Sequence, residues 1–157
     1  MSGKLVTYFS ASGITEKVAK NLAEALGADL FEIKPKEAYT KADLNWRDKE
    51  SRSTIEMKNP ASRPEITGKV EDMCKYDTVF VGFPIWWGVA PRAVNTFLES
   101  YDFKGKTIIP FATSGGSGYG KANEFLKASC QDAKILDGEI LKPDVTVEEL
   151  KEWIKKF

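Results

Sequence analysis

The apolar residues fall into short unbroken runs, separated by longer stretches with helical spacing. The first run, Leu5-Val6-Thr7-Tyr8-Phe9, ends at Ser10-Ala11-Ser12-Gly13. Behind it Ile14, Val18, Leu22, Ala25 and Leu26 share one helical face, and Gly27 stands where a C-cap belongs. A second short strand is expected over residues 30–33. The third, residues 78–83, reads Thr-Val-Phe-Val-Gly-Phe without polar alternation, the pattern of a strand covered on both faces. Pro91 then suits the first turn of a helix whose Val94, Phe97, Leu98 and Tyr101 face inward. A fourth strand over 107–112 leads to a helix carrying Phe125 and Leu126. A fifth, split strand (Ile135-Leu136, then Ile140-Leu141) surrounds Asp137-Gly138. The closing helix opens on a capping box, Thr146-Val147-Glu148-Glu149, and is expected to bury Leu150, Ile154 and Phe157. This alternation predicts an α/β fold, a parallel sheet with helices on both faces, in one domain over residues 1–157.

Two stretches resist the pattern. Pro110 lies inside the fourth strand, where a residue without an N–H cannot donate to a ladder, so a bulge or an unpaired position is expected there. The crossover over residues 34–70 is also oversized. Of its 37 residues 15 are charged, and Tyr39 and Trp46 are its aromatics, a composition that favours a solvated loop over an ordered flap.

Composition narrows the function. The 157 residues suit a single domain, and 42% hydrophobic content is enough for a core. Lys plus Arg and Asp plus Glu each total 23, so no overall basic field draws the chain to nucleic acid or anionic lipid. The absence of histidine removes Ser–His–Asp and Cys–His catalysis and imidazole-ligated metals. Cys74 and Cys130 stand 56 positions apart, which makes neither a CxxC pair nor a zinc cluster and suits a reducing compartment. The longest uncharged stretch, 78–91, is interrupted by Gly82, Pro84 and Gly88 and falls short of the ~20 apolar residues of a membrane helix. With no signal-like leader in the opening residues, a cytoplasmic protein is expected, without nucleic-acid or membrane partners.

In an open sheet of this kind ligands bind outside the carboxyl ends of the strands. Three loops leaving those ends carry unusual residues. Ser10, Ala11, Ser12, Gly13, Ile14 and Thr15 offer hydroxyls and the free N–H groups of a helix start. Together these form a neutral cradle for a phosphate; helix capping alone is the plainer account. Pro84, Ile85, Trp86, Trp87 and Gly88 place two adjacent indoles on a turn, where both cannot enter one core. One of them faces either a flat aromatic ligand or a protein interface. Thr113, Ser114, Gly115, Gly116, Ser117 and Gly118 begin a stretch to Gly120 holding four of the chain's 12 glycines, so backbone amides approach a ligand edge or simply make a flexible turn. Residues 115–121 spell GxxxxGK, but Ala122 replaces the magnesium-binding hydroxyl, and ATP is excluded. Jointly the loops describe a phosphate at one end, a flat ring at the other and polar ring edges between. FMN fits best.

These motifs resemble those of flavodoxins over nearly the whole chain. Phe9 to Thr15 looks like the flavodoxin phosphate loop. Phe83 to Gly88 and Thr113 to Gly118 look like the two ring-binding loops of a bacterial flavodoxin subgroup. The resemblance implies a flavodoxin-like three-layer sandwich, a five-stranded parallel sheet in order 2-1-3-4-5, of the short-chain type, with non-covalent FMN. It assigns Ser10 to Thr15 to the phosphate, Pro84 to Trp87 to the isoalloxazine and Thr113 to Gly118 to its polar edge. It also implies electron transfer between a reductase and an acceptor protein, by a monomer or weak homodimer, with no catalytic side chain and no metal. An indole, Trp86 or Trp87, should lie against the ring. The chain departs from typical flavodoxins in being neutral rather than acidic, and its segment 34–70 is long. An alternative on the same fold is an NAD(P)H-dependent FMN or quinone reductase using Arg47, Arg52 or Arg63 for the nicotinamide phosphate. A phospho-receiver domain is excluded, because Ser10-Ala11-Ser12 and Phe83-Pro84 stand where its aspartates belong, and a low-molecular-weight phosphatase lacks its first-loop cysteine.

Overall fold

Strand and helix alternate as the pattern requires. A computed structural model describes residues 3–114 and 118–157. In chain order the elements are β1 (Gly3–Tyr8), α1 (Ile14–Leu26), β2 (Asp29–Glu32), β3 (Lys34–Pro35), α2 (Arg52–Lys58), β4 (Ile66–Thr67) and β5 (Tyr76–Pro84). Then come α3 (Arg92–Glu99), β6 (Thr107–Thr113), α4 (Ala122–Ser129), β7 (Lys134–Ile135), β8 (Glu139–Ile140) and α5 (Val147–Trp153). The main sheet runs β2-β1-β5-β6-β7, with β8 also on β6, and its pairings are parallel. Counted by position this is the expected order 2-1-3-4-5, the fifth place being shared by the two halves of a split strand.

Both faces of the sheet are covered, because consecutive strand residues point opposite ways. Leu5, Val79, Val81, Ile108 and Ala112 join Val94, Phe97, Leu98 and Leu126 of α3 and α4. Val6, Phe80, Ile109 and Phe111 join Val18, Leu22 and Leu150 of α1 and α5. Gly27 caps α1 with its N–H on the carbonyls of Ala23 and Glu24, and Thr146 and Glu149 form the expected capping box. Three packing expectations need correction. Ile14 is 46% exposed at the rim while its neighbour Thr15 is buried, and Phe157 is 45% exposed at the end of the chain. Tyr101 lies beyond α3, whose last residue is Glu99, though its ring still packs on Phe97 at 5.2 Å between centroids.

Pro110 takes the unpaired position, not a bulge. Its register with Val81 of β5 is continuous from Thr78↔Thr107 to Pro84↔Thr113. On the other side the carbonyls of Ile108 and Ala112 accept from Leu136 and Leu141. By alternation the proline nitrogen faces the gap between β7 and β8, where no donor is needed.

Segment 34–70 is the larger correction. It is not a solvated loop. β3 and β4 form a small antiparallel ribbon, and α2 starts on a Ser51 side chain that accepts from the Thr54 N–H. Ser51, Ser53, Thr54 and Met57 are buried. Charged residues line the outside of an ordered flap whose inner side carries hydroxyls and one methionine, a pattern that composition alone does not reveal.

Candidate functional site

β1, β5 and β6 all end on the same side of the sheet, and the three loops leaving them are tied together by hydrogen bonds. The hydroxyls of Thr15 and Thr113 lie 2.8 Å apart, joining the first loop to the third. The Ile85 N–H donates to the Thr113 carbonyl at 2.9 Å, joining the second to the third. The Lys121 N–H donates to the Gly88 carbonyl at 2.9 Å, closing the rim. Gly120 allows that approach: a Cβ there would run into the Gly88 backbone. Of the predicted residues Ser10 to Thr15, Pro84 to Gly88, Thr113, Ser114 and Gly118 are therefore on one rim. Gly115, Gly116 and Ser117 lie outside the described residues.

The first loop ends in a helix start that no side chain caps. Gly13 occupies the N-cap with φ +91°, and the Ser10 hydroxyl is used on the Gly13 N–H at 3.0 Å rather than on the amides of the first turn. Ser12, Gly13 and Ile14 are exposed there, while Thr15 is turned inward to Thr113. The loop thus presents amide donors and the positive end of a 13-residue helix, and the one acidic residue of its first turn, Glu16, accepts from the Tyr8 hydroxyl.

The second loop separates its two indoles. Trp86 exchanges both backbone hydrogen bonds with Val89, at 2.9 and 3.1 Å, around a two-residue turn. Trp87 and Gly88 at its centre have φ +51° and +78°, the signs of a type I′ turn. Trp86 is half-buried, edge-on to Phe9 at 5.6 Å and to Tyr39 at 5.5 Å. Trp87 is held outward and 50% exposed. One indole supports the turn and the other is displayed by it.

The family model for flavodoxin matches residues 3–157. The chain belongs to the flavodoxin family. Among solved structures it is similar to a proposed flavoprotein from Bacteroides eggerthii DSM 20697, with 45% identity, 99% of this chain and 98% of that one covered, and a TM-score of 0.92. A proposed flavoprotein from Bacteroides uniformis ATCC 8492 is 47% identical, with 98% of each chain covered and a TM-score of 0.92. The fold is also that of a flavoprotein from Lactobacillus acidophilus NCFM solved in complex with FMN, at 23% identity, 98% and 99% coverage and a TM-score of 0.73. No curated protein sequence matches the chain.

Two residues of this flavodoxin-family rim carry more weight than their sequence positions suggest. Tyr39, from the flap, supports Trp86; its burial, and then the Glu56 carboxylate that accepts its hydroxyl, push the phenol well above its ordinary pKa. Tyr119, just past the third loop, leans on Phe83 at 6.3 Å and donates to Asn123 Oδ1 at 2.6 Å, with its phenol raised by burial and then by Asp137. Asn123 in turn donates to the Leu136 carbonyl at 3.0 Å, fixing α4 to the split edge. Neither tyrosine lies in a recognisable motif; an aromatic residue in a charged segment was the one available signal for Tyr39. Among the described residues there is no cluster of three or more His, Cys, Asp or Glu side chains suited to a metal, and no helix long and apolar enough to cross a membrane.

Proposed function

We propose that this chain binds FMN at the rim and carries electrons between redox partner proteins. The observation that carries the reading is the stitching of three strand-end loops through Thr15, Thr113, Ile85, Gly88 and Lys121. It brings an uncapped helix start, an exposed indole and the closely packed glycines Gly88 and Gly120 to one place. The donor set fits the cofactor. Hydroxyls and helix amides suit a phosphate, and the displayed Trp87 suits a flat ring system. Bound FMN would supply reversible one- and two-electron chemistry.

The chain's own residues then have separate tasks. Ser10, Ser12, Gly13 and Thr15 would bind the phosphate; Ala11 and Ile14 complete that turn. Trp87 would cover the ring, and Pro84, Ile85 and Trp86 would hold Trp87 in place. Thr113, Ser114 and Gly118, with Gly115, Gly116 and Ser117, would meet the polar ring edge. An indole wall excludes water and disfavours added negative charge on the ring, which lowers the reduction potential.

Engagement of the arginines argues against the NAD(P)H reductase. The Arg52 guanidinium is committed to Glu56 at 3.0 Å, Asp43 at 4.0 Å and the Glu37 carbonyl at 2.8 Å. Arg63 pairs with Glu99 at 2.9 Å and donates to the carbonyls of Pro60 and Ser62. That leaves Arg47, stacked on the exposed Trp46 at 5.1 Å. The reading places one FMN domain, a monomer or weak homodimer, in a reducing cytoplasm, consistent with Cys74 and Cys130 both being free. The test has two stages. Titration with FMN should develop flavin absorbance and quench flavin fluorescence; a protein that remains colourless ends the proposal. Anaerobic mixing of the loaded protein with NADPH should give no rapid bleaching until a flavodoxin reductase is added, whereas fast saturable bleaching by NADPH alone would make it a reductase.

A further inference from the structure

Resting on the FMN reading for the identity of its ligand, we infer that Tyr39 is a positioning residue: a clamp within the 34–70 flap fixes Tyr39, and Tyr39 fixes the turn that displays Trp87.

Tyr39 is held from three sides. Its hydroxyl donates to the Glu56 carboxylate. The Arg52 guanidinium lies over its ring, 3.9 Å from the centroid. Its remaining edge meets Trp86 at 5.5 Å and Phe9 at 5.7 Å, near-perpendicular contacts of the favourable aromatic kind. The holders are themselves held. Arg52 Nε donates to Glu56 Oε2 at 3.0 Å across one turn of α2. Arg92, buried at the start of α3, donates to the carbonyls of Glu56 at 3.4 Å and Met57 at 2.9 Å. α3 begins a few residues after the tryptophan turn, so α2 is fastened to the segment on which Trp86 and Trp87 stand. Three groups (a cation on one face, a carboxylate on the hydroxyl and two rings on the edge) leave the Tyr39 ring little freedom.

The consequence passes through Trp86. Its N–H and C=O make the two hydrogen bonds that close the turn, and at its centre Trp87 occupies a left-handed φ. A bulky aromatic residue keeps that conformation only where its neighbours over-determine it. Tyr39 and Phe9 are those neighbours on the Trp86 side. The flap therefore acts on the ring site without supplying a ligand contact of its own. That explains why a segment rich in charge carries a half-buried tyrosine packed against the core.

The experiment compares Tyr39→Ala, Tyr39→Phe and Glu56→Ala in the full chain, with Thr146→Ala as a destabilised control remote from the rim. Two readouts are taken: affinity for FMN and for riboflavin, and fluorine NMR of the fluorotryptophan-labelled apo-protein. Tyr39→Ala should weaken FMN and riboflavin alike by roughly 10-fold, two aromatic contacts being lost on the ring side and none on the phosphate side. It should also shift the Trp86 and Trp87 resonances while leaving those of Trp46 and Trp153 in place. Tyr39→Phe, which keeps the ring, should stay within about 3-fold of the parent, and Glu56→Ala should fall between the two. Thr146→Ala should leave both affinities and both resonances unchanged. Unaltered affinity together with unmoved Trp86 and Trp87 signals in Tyr39→Ala would overturn the inference; if that variant does not fold, the same null result in Glu56→Ala overturns it. A parent protein that binds no flavin would instead defeat the functional reading, and the apo-protein spectra would still decide the role of Tyr39.

Discussion

Helices α1 and α5 lie side by side on the same face of the sheet, yet their N-termini are finished in opposite ways. α5 is closed by its own residues: Thr146 accepts from the Glu149 N–H at 3.1 Å, and the Glu149 carboxylate returns the bond to the Thr146 N–H at 3.1 Å. α1 begins at a glycine with no side-chain cap, and the hydroxyls of Ser10 and Thr15 beside it turn to other partners. A closed terminus contributes about 1 kcal/mol of fold stability. An open one forgoes that contribution and keeps a pre-arranged set of donors for something outside the chain. On the FMN proposal, the difference separates a helix end that serves the fold from one that would serve a ligand.

Substitutions can break that comparison. The largest effect is expected from Ser12→Asp, which sets a carboxylate before the α1 amides. FMN affinity should fall by ~3 kcal/mol or more as charge-assisted hydrogen bonds to phosphate are lost, and riboflavin affinity should hold. The apo-protein should melt no lower, since an anion at a helix start is favourable by ~0.3–1 kcal/mol. Paired FMN and riboflavin titrations check this, and equal losses for both ligands would remove the phosphate from α1. Next comes Trp87→Ala, which should cost about 1–3 kcal/mol of affinity for either flavin. Its apo-protein should stay within ~0.5 kcal/mol of the parent in urea melts, because the indole is exposed. The converse is Thr146→Ala, expected to lose ~1 kcal/mol of stability with flavin affinity unchanged.

The smallest effect concerns the far end of α5. Glu139 is held below the ordinary glutamate range by Lys156 at 2.5 Å and by the Trp153 indole N–H. A depressed folded-state value means that this stabilisation is present above the ordinary glutamate range and is lost as pH falls through the depressed value. Urea midpoints followed from neutral pH downward should therefore drop more steeply in the parent than in Glu139→Gln. Superimposable pH profiles would remove Glu139 from the acid sensitivity of α5.

Much of the architecture was legible because it is written in local periods. The unbroken apolar run of β5, the Gly27 cap and the Thr146–Glu149 box each depend on residues a few positions apart, and each was found where expected. Convergence of the three loops followed from the parallel order alone, since strand ends in such a sheet share one side. Other features needed partners distant in sequence. Charge in segment 34–70 concealed an ordered flap because part of its order comes from Arg92 and Trp86, which lie outside the segment. Ile14 has the spacing of the α1 stripe but sits one turn above the sheet's cover, at the rim. The choice between Trp86 and Trp87 was set by backbone dihedrals on either side of one peptide, which the dipeptide Trp-Trp does not encode.

The proline in β6 has a consequence beyond its own hydrogen bond. By leaving the last lane of the sheet in two fragments of two residues each, it denies a neighbouring molecule any continuous row of free amides to zip onto. A protein at high concentration risks growing fibres from a long bare flank; here that flank is already cut in half.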